Sequence, residues 1–312
     1  MKKVETVVIL VNYNNDDDTA MCIKSVCQAE GNTPVIIVVD NASDNVERLK
    51  EIEASKENVH LILNDENIGF GRANNIGINW ANEHVDYDYL LLLNNDTTVD
   101  SKYLIELQYA IKEDPFIGIV TSKIMYQDRK EIVWYGGGEI NIKRGRPIIT
   151  DFNQKPTDFG AEKAKYVSFI SGCVMLFTKK SIKEIGGFDD AFFMYAEDME
   201  LCLRAKSLGY KLFYQPKSIV YHKVQGSNRA TNKITGLRAK NPNLRFLFLN
   251  MKSNQYLAMR KHLSLKEFNK FKLNYWFEYF YICIRLFFGG RFDIFSISRE
   301  TIKRIKKFKK TC

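Results

Sequence analysis

The chain lacks any run of about 18 uninterrupted apolar residues, the length a membrane-spanning helix needs. The nearest approach, Tyr275 to Phe288, is broken by Glu278 and Arg285. At the N-terminus, Glu5 and Thr6 interrupt the first apolar run and Asn12-Tyr13-Asn14 ends it, with no small-residue cleavage site. That pattern predicts a first buried strand and not a signal peptide. The six cysteines (Cys22, Cys27, Cys173, Cys202, Cys283 and Cys312) form no CxxC and no Cys/His ligand spacing. Their scatter argues against a zinc site and fits reduced thiols in a cytosolic protein. No internal repeat is visible, and histidine is rare, at 4 in 312 residues. Carboxylates are scarce in one region only. Residues 226–312 carry 20 basic and 4 acidic side chains, a net of +16, whereas residues 1–225 carry 26 basic and 33 acidic, a net of −7. The overall +9 describes neither part. A protein that coats nucleic acid uniformly does not fit this split, and no nucleic-acid partner is expected.

What is present is a folded-protein composition, with 45% hydrophobic and 27% charged residues. Val7–Val11, Val35–Val39, Val59–Leu63, Leu90–Leu93 and Ile117–Val120 are strand-sized and rich in Val, Ile and Leu. Helix-length stretches such as Thr19–Gln28 and Ser101–Lys112 separate them. Continuous apolar strands alternating with helices predict a Rossmann-like α/β fold, its mostly parallel sheet covered on both faces. Ligands of such sheets bind beyond the carboxyl ends of the strands. Those ends carry Asn12-Tyr13-Asn14, Asp40-Asn41-Ala42-Ser43-Asp44, Asn67-Ile68-Gly69-Phe70-Gly71 and Asn94-Asn95-Asp96. Any one of these clusters is more often a turn or helix cap. Four in succession on one edge read as a site. Further on, Gly136-Gly137-Gly138 suggests a hairpin within Val133–Arg146. Val167–Phe177 reads as one strand followed by a helix near Lys179. Residues 196–208 read as an amphipathic helix burying Met199, Cys202, Leu203 and Leu208, and Lys211–Tyr214 and Ile219–Tyr221 as two short strands.

In order and spacing, Asn67-Ile-Gly69-Phe70-Gly71-Arg-Ala-Asn74-Asn75, Asn94-Asn95-Asp96, Ser171-Gly172, Gly187-Phe188-Asp189-Asp190 with Tyr195-Ala-Glu197-Asp198, and Tyr221-His222 form a recognisable set. Over about residues 5–225 the chain resembles the inverting family 2 glycosyltransferases of the GT-A fold, especially their rhamnosyltransferase-like branch. The resemblance implies a catalytic domain over 1–225 that transfers sugar from a dTDP- or UDP-activated donor, with dTDP-rhamnose favoured. The implied acceptor is a hydroxyl of a lipid-linked or cell-surface glycan precursor. Asp40 matches the family's base-reading Asp, and its carboxylate suits the imide N–H of uracil or thymine. Asn12, Tyr13, Asn41, Gly69, Asn74 and Asn95 would surround the same nucleotide. Asp44 is expected to cap the following helix. Asp96 matches the last Asp of the family's DxD motif, with Asn94 departing from it in the first position. His222 matches a His that completes the metal or diphosphate site in many members. Together they imply a divalent ion, Mn²⁺ or Mg²⁺, with imidazole favouring Mn²⁺.

Inverting transfer is one displacement and needs a base opposite the leaving diphosphate. Asp198 matches the catalytic Asp of the family's Glu-Asp motif, with Glu197 orienting it or binding acceptor. The start of a helix there is expected to lower the Asp198 pKa. Gly172 and Tyr195 are expected at the donor and acceptor pocket. Two rival chemistries fail. The third glycine after Gly69-Phe-Gly71 is Gly77, which breaks a dinucleotide fingerprint. A glycoside hydrolase would leave Asp40 and Asp96 unexplained. From another class, a non-catalytic nucleotide-sugar-binding subunit of a glycan assembly complex stays open, as does a UDP-hexose transferase of the same family.

Residues 226–312 are expected to form a helical, basic, amphipathic extension that meets a membrane or a partner. In 271–288, Asn274, Glu278 and Arg285 fall on one stripe, with Phe271, Tyr275, Tyr279, Ile282 and Leu286 elsewhere. Ser298–Lys310 sets Ile302, Ile305 and Phe308 on one face and Lys303, Arg304, Lys306, Lys307, Lys309 and Lys310 on the others. That suits an anionic membrane surface, better than RNA, and predicts a cytoplasmic protein peripheral to the inner face of the cell membrane. Such an end also supports a homodimer.

Overall fold

The computed structural model describes residues 2–224 and 237–311. Cys312 and the opening of the basic region therefore lie outside the described residues, as do the side chains of Lys309 and Lys310. The first part of the chain runs β1 (Lys2–Asn12), α1 (Asp16–Gln28), β2 (Val35–Asp40), α2 (Glu47–Ser55), β3 (Val59–Leu63), α3 (Phe70–His84), β4 (Val85–Leu93), β5 (Thr97–Val99), α4 (Tyr103–Lys112) and β6 (Ile117–Tyr126). Next come β7 (Val133–Tyr135), β8 (Gly138–Asn141), β9 (Arg146–Ile149), β10 (Lys165–Val167), β11 (Val174–Thr178), α5 (Lys179–Ile185), α6 (Glu197–Ser207) and β12 (Lys211–His222). Last are α7 (Leu244–His262), α8 (Leu265–Phe288) and α9 (Ile294–Thr311). The predicted mostly parallel α/β sheet is present.

The main sheet has the order β10-β12-β6-β11-β4-β1-β2-β3, with β5 and β7 attached to β12 and β6. β1 runs parallel to β2 and β4, β2 to β3, and β6 to β12, while β11 is antiparallel between β4 and β6. Every residue of β2 and of β6 is buried, as strands covered on both faces require. Each fully buried Val, Ile or Leu there stabilises the fold by about 1.5–3 kcal/mol.

Register is what assembles the site. Asn12 pairs with Asp40, so the ends of β1 and β2 are level. The end of β4 meets the start of β11, Leu93 opposite Val174, which sets Asn94 beside Cys173. His222 pairs with Thr97 across β12 and β5, which carries the imidazole to Asp96.

Several expectations need correction. The segment 167–177 is two strands, β10 and β11, because Ser171-Gly172-Cys173 leaves the sheet to meet α6. Conversely, 211–214 and 219–221 belong to one strand, β12, with an irregularity between Gln215 and Ile219 beside Pro216. Leu208 lies past the end of α6 and is exposed. Asp44 caps nothing: α2 starts after Val46 with no side-chain cap, and Asp44 instead pairs with the Asn14 side chain.

The basic region is helical as expected, in α7, α8 and α9, and differs in where the apolar face of α9 is turned. Chain chemistry changes at residue 225, but packing does not, and one apolar cluster runs from β1 through α9. Ile305 is 1% exposed, and Ile302 and Phe308 pack on that cluster. The apolar face of the last helix is thus turned to the protein and not to lipid. Exposed apolar surface is found on α8 instead, at Leu273, Phe277, Phe280, Tyr281, Ile284 and Phe288, and continues to Phe292 and Phe295. The opposite side of α8, with Phe271, Tyr275, Tyr279, Ile282 and Leu286, is buried as the spacing predicted. A capping box between Ser264 and Glu267 starts this helix. Among the described residues no helix is long and apolar enough to cross a membrane.

Candidate active site

The carboxyl ends of β1, β2 and β4 enclose a polar knot. Asn12 donates to Asp40 Oδ1 (2.7 Å) and accepts from Thr19 (2.7 Å) and Asn95 (3.2 Å). The Asp40 carboxylate also accepts from the Ser43 hydroxyl and backbone N–H, at 2.6 and 2.8 Å. Asn12 and Asp40 are 0% and 1% exposed. Both side chains are thus committed to their neighbours, and Asp40 lies beneath the cavity lining described next. Asn74 is likewise turned inward, donating to the Phe70 carbonyl one turn back. Gly69 starts α3 at φ +89°, and a Cβ there would lie 2.3 Å from the Phe193 carbonyl oxygen, so only glycine lets this loop close.

Above the knot lies a cavity of about 280 Å³. Tyr13, Asn41, Asn95 and Asp96 line it at the strand ends, and Gly172, Tyr195, Glu197 and Asp198 on the other side. Asn15, Asn94 and Ser171 also line it. Asn15 Oδ1, Asn94 Oδ1 and Glu197 Oε2 are buried with no partner among the described residues. Buried polar atoms left unpaired are costly. Three of them on one small cavity mark a place shaped for a polar ligand.

Asp96 Oδ1 lies 3.0 Å from His222 Nε2, and both side chains are buried. Burial opposes a charge on His222, but Cys173 and the Asp96 carboxylate outweigh it and raise the imidazole pKa. Its Nδ1 has no partner among the described residues. No group of three or more His, Cys, Asp or Glu is gathered for a metal among those residues. Asp96 and His222, a hard carboxylate and an imidazole, would suit a divalent ion such as Mn²⁺ or Mg²⁺ that found its other ligands outside this pair.

The Glu-Asp pair sits on an unusual turn. Tyr195 and Ala196 have φ of +71° and +67°, the left-handed region that costs a non-glycine residue about 1–3 kcal/mol. Asn254 of α7, fully buried, donates to both the Met194 and the Tyr195 carbonyls at 3.0 Å and so holds the turn. Asp198 accepts from the backbone N–H of Gly172 (3.3 Å) and Met199 (2.8 Å). Burial nevertheless pushes its pKa up, against the lowering expected from the helix start, and pushes Glu197 up further with help from the Asp198 charge. A second cavity, of about 860 Å³, opens on the far side of this turn, and Tyr195 and Asp198 line both cavities.

The sequence signalled every cavity-lining residue of the Glu-Asp, Ser-Gly and Asn-Asn-Asp segments. It did not signal Asn254, which lies on a helix 56 positions beyond Asp198 in a stretch with no turn or motif character. Asn15 was visible only as the neighbour of Asn12-Tyr13-Asn14.

A covered parallel sheet, a polar cavity at its carboxyl edge and a carboxylate pair facing it define an α/β protein of the GT-A class. The model described as glycosyl transferase family 2 matches residues 7–186. The chain belongs to that family. A second model, described as the N-terminal domain of galactosyltransferase, matches residues 159–225. Among curated relatives, the low-salt glycan biosynthesis hexosyltransferase Agl10 of Haloferax volcanii is 25% identical over 204 residues, covering 64% of this chain and 61% of its own length. The poly-beta-1,6-N-acetyl-D-glucosamine synthase of Staphylococcus aureus is 30% identical over 217 residues, 68% of this chain and 48% of its own length. The chain thus spans about half to three fifths of the length of these relatives. Among solved structures, GalNAc-T7 with UDP, GalNAc and Mn²⁺ superposes with a TM-score of 0.61 at 17% identity, over 82% of this chain and 48% of that one. That likeness carries the fold.

Proposed function

We propose that this chain is an inverting hexosyltransferase that moves a sugar from a UDP- or dTDP-activated donor to a hydroxyl of a lipid-linked or cell-surface glycan precursor. The carrying observation is that Asp198 lines both cavities, so one carboxylate faces a donor on one side and an acceptor on the other. The acceptor oxygen attacks the anomeric carbon, its proton passes to Asp198, and the bond to the nucleoside diphosphate breaks. A carboxylate whose pKa burial has raised is the better base for that proton. Glu197, raised further and with its Oε2 buried and unpartnered, would keep a single negative charge at the turn if it retains its proton. Asp96 and His222 would hold a divalent ion, Mn²⁺ being the more effective with an imidazole ligand; such an ion stabilises the charge that grows on the diphosphate. Tyr13 and Asn41 would flank the base, ordered by Asp40 and Asn12 beneath them.

The rhamnosyltransferase-like motifs support dTDP-rhamnose as donor. A UDP-hexose is the second reading, supported by the hexosyltransferase name of the archaeal relative and by the UDP in the GalNAc-T7 structure. Asp198→Asn separates both from a non-catalytic binding subunit. It is expected to abolish transfer, by about 10² or more, while UDP binding with Mn²⁺ stays within twofold. Retained turnover would remove Asp198 as base. Screening UDP- and dTDP-sugars for transfer with each metal then decides the donor.

We also propose that the chain works at the inner face of the cell membrane, with α8 meeting lipid through Phe277, Phe280, Tyr281 and Ile284 and the basic side chains of α9 meeting anionic headgroups.

A further inference from the structure

The larger cavity holds a charge pattern that sugar recognition alone does not call for. Five cations line it, Lys143, Arg144 and Arg146 from the β8–β9 hairpin, Lys252 from α7 and Arg285 from α8, against the carboxylates Asp198 and Glu278. Lys252 is the telling one. It is 5% exposed, and its Nζ reaches only Gln255 Oε1 at 3.3 Å and the Tyr275 ring face at 5.8 Å. No carboxylate lies within ion-pair distance of it among the described residues; Glu278 pairs with Arg146 at 3.6 Å. A buried ammonium without a counter-ion is destabilising unless a ligand supplies the charge. Burial lowers its pKa, and the Glu278 carboxylate, beyond ion-pair distance, offsets this only in part.

The hairpin is held in place for this. Gln255 donates to the Arg144 carbonyl at 2.6 Å. Gly145 sits at φ +60°, where a Cβ would lie 2.5 Å from the Phe271 ring, so the tip docks flush on α7 and α8. The cavity wall then runs outward without a break into apolar surface. Phe277 and Tyr281 line the cavity and are themselves 79% and 59% exposed.

Resting on the transferase reading above, we propose that this cavity seats a lipid-borne acceptor by its phosphate groups. The phosphates meet Lys252, Arg144 and Arg146, the reacting sugar reaches inward to Asp198, and the hydrocarbon leaves over Phe277 and Tyr281. The site therefore selects acceptors that are at once anionic and lipid-linked.

The test uses the full chain with its donor cavity filled by UDP and Mn²⁺, so that a diphosphate probe cannot lodge there. Farnesyl diphosphate, farnesol and inorganic pyrophosphate are titrated separately. Farnesyl diphosphate is expected to bind at least about tenfold tighter than either fragment, since charge-assisted hydrogen bonds and buried chain each contribute. Lys252→Met is expected to weaken farnesyl diphosphate about tenfold or more, Lys252→Arg much less, and UDP binding not at all. The Lys252→Met melting temperature should hold or rise, because an unpaired buried charge has been removed. Phe277→Ser with Tyr281→Ser should weaken farnesyl diphosphate and leave pyrophosphate unchanged. Equal binding of farnesol and farnesyl diphosphate would overturn the phosphate site, and equal binding of pyrophosphate would overturn the lipid source. Unchanged affinity in Lys252→Met, with a lowered melting temperature, would make the lysine structural and sink the proposal. Loss of UDP binding in the unaltered chain would instead count against the transferase reading itself.

Discussion

Asp198 and Glu197 are adjacent carboxylates whose pKa values are both raised, for one shared reason, removal from water. Each holds its proton more tightly folded than unfolded. Below the unfolded carboxylate range both states are protonated and the pair costs nothing. As pH rises from there through the raised values, the folded state must give up protons it binds better, so the pair makes stability fall with rising pH. Glu197→Gln is therefore expected to raise the melting temperature at pH 8 and to change it little at pH 4; an equal shift at both would refute burial as the cause. The rate should show the companion effect. Transfer is expected to lose activity on acidification with an apparent pKa above the ordinary carboxylate range, since burial raises the pair. Asp198 was legible because Glu-Asp at a helix start is a local pattern. The direction of its pKa was not, because the helix end is encoded nearby in sequence while burial comes from segments far away in it. Asp40 shows the same limit: its identity and strand-end position were readable, its inward turn toward Ser43 and Asn12 was not.

Two elements do work that their own sequences do not advertise. The turn before α6 is held in the left-handed region by Asn254. Asn254→Ala is expected to lose about 1–3 kcal/mol of turn stability and to lower kcat by about tenfold or more, with UDP affinity unchanged. A matching loss of UDP affinity would place the damage in the whole fold and not in the turn. α9 was read as an amphipathic helix, and it is one. Its apolar face, however, found a partner in α7, an outcome that periodicity cannot distinguish from lipid because both solvents reward the same spacing. What periodicity left over, the outer row of α8, is the surface that stays exposed. Changing Lys303, Lys306 and Lys307 to Gln is expected to weaken binding to anionic liposomes and to reduce its salt sensitivity. The variant should leave the melting temperature within about 2 °C, since all three side chains are exposed. Unaltered binding would remove α9 from the lipid contact.

At the scale of the molecule, the mostly parallel covered sheet and the four strand-end clusters were readable from apolar runs and turn residues, since both are local, whereas the strand order, with β11 antiparallel between β4 and β6, depends on contacts between distant segments. The division at residue 225 was readable as charge but does not describe packing. α6 and α7 are tied by His262 and Glu200 at 2.8 Å, and Arg204 closes on the same carboxylate at 3.0 Å. That tie, with the Asn254 clamp, has a consequence for the order of events during synthesis. A nascent chain can expose every strand of the sheet before residue 254 has left the ribosome, yet its Glu-Asp turn still lacks the two hydrogen bonds that fix it. The finished turn would thus arrive late, with the same helices that present the exposed apolar row of α8. A half-made chain would carry a formed strand edge and an unformed Glu-Asp turn, and the finished one would complete that turn with its last helices.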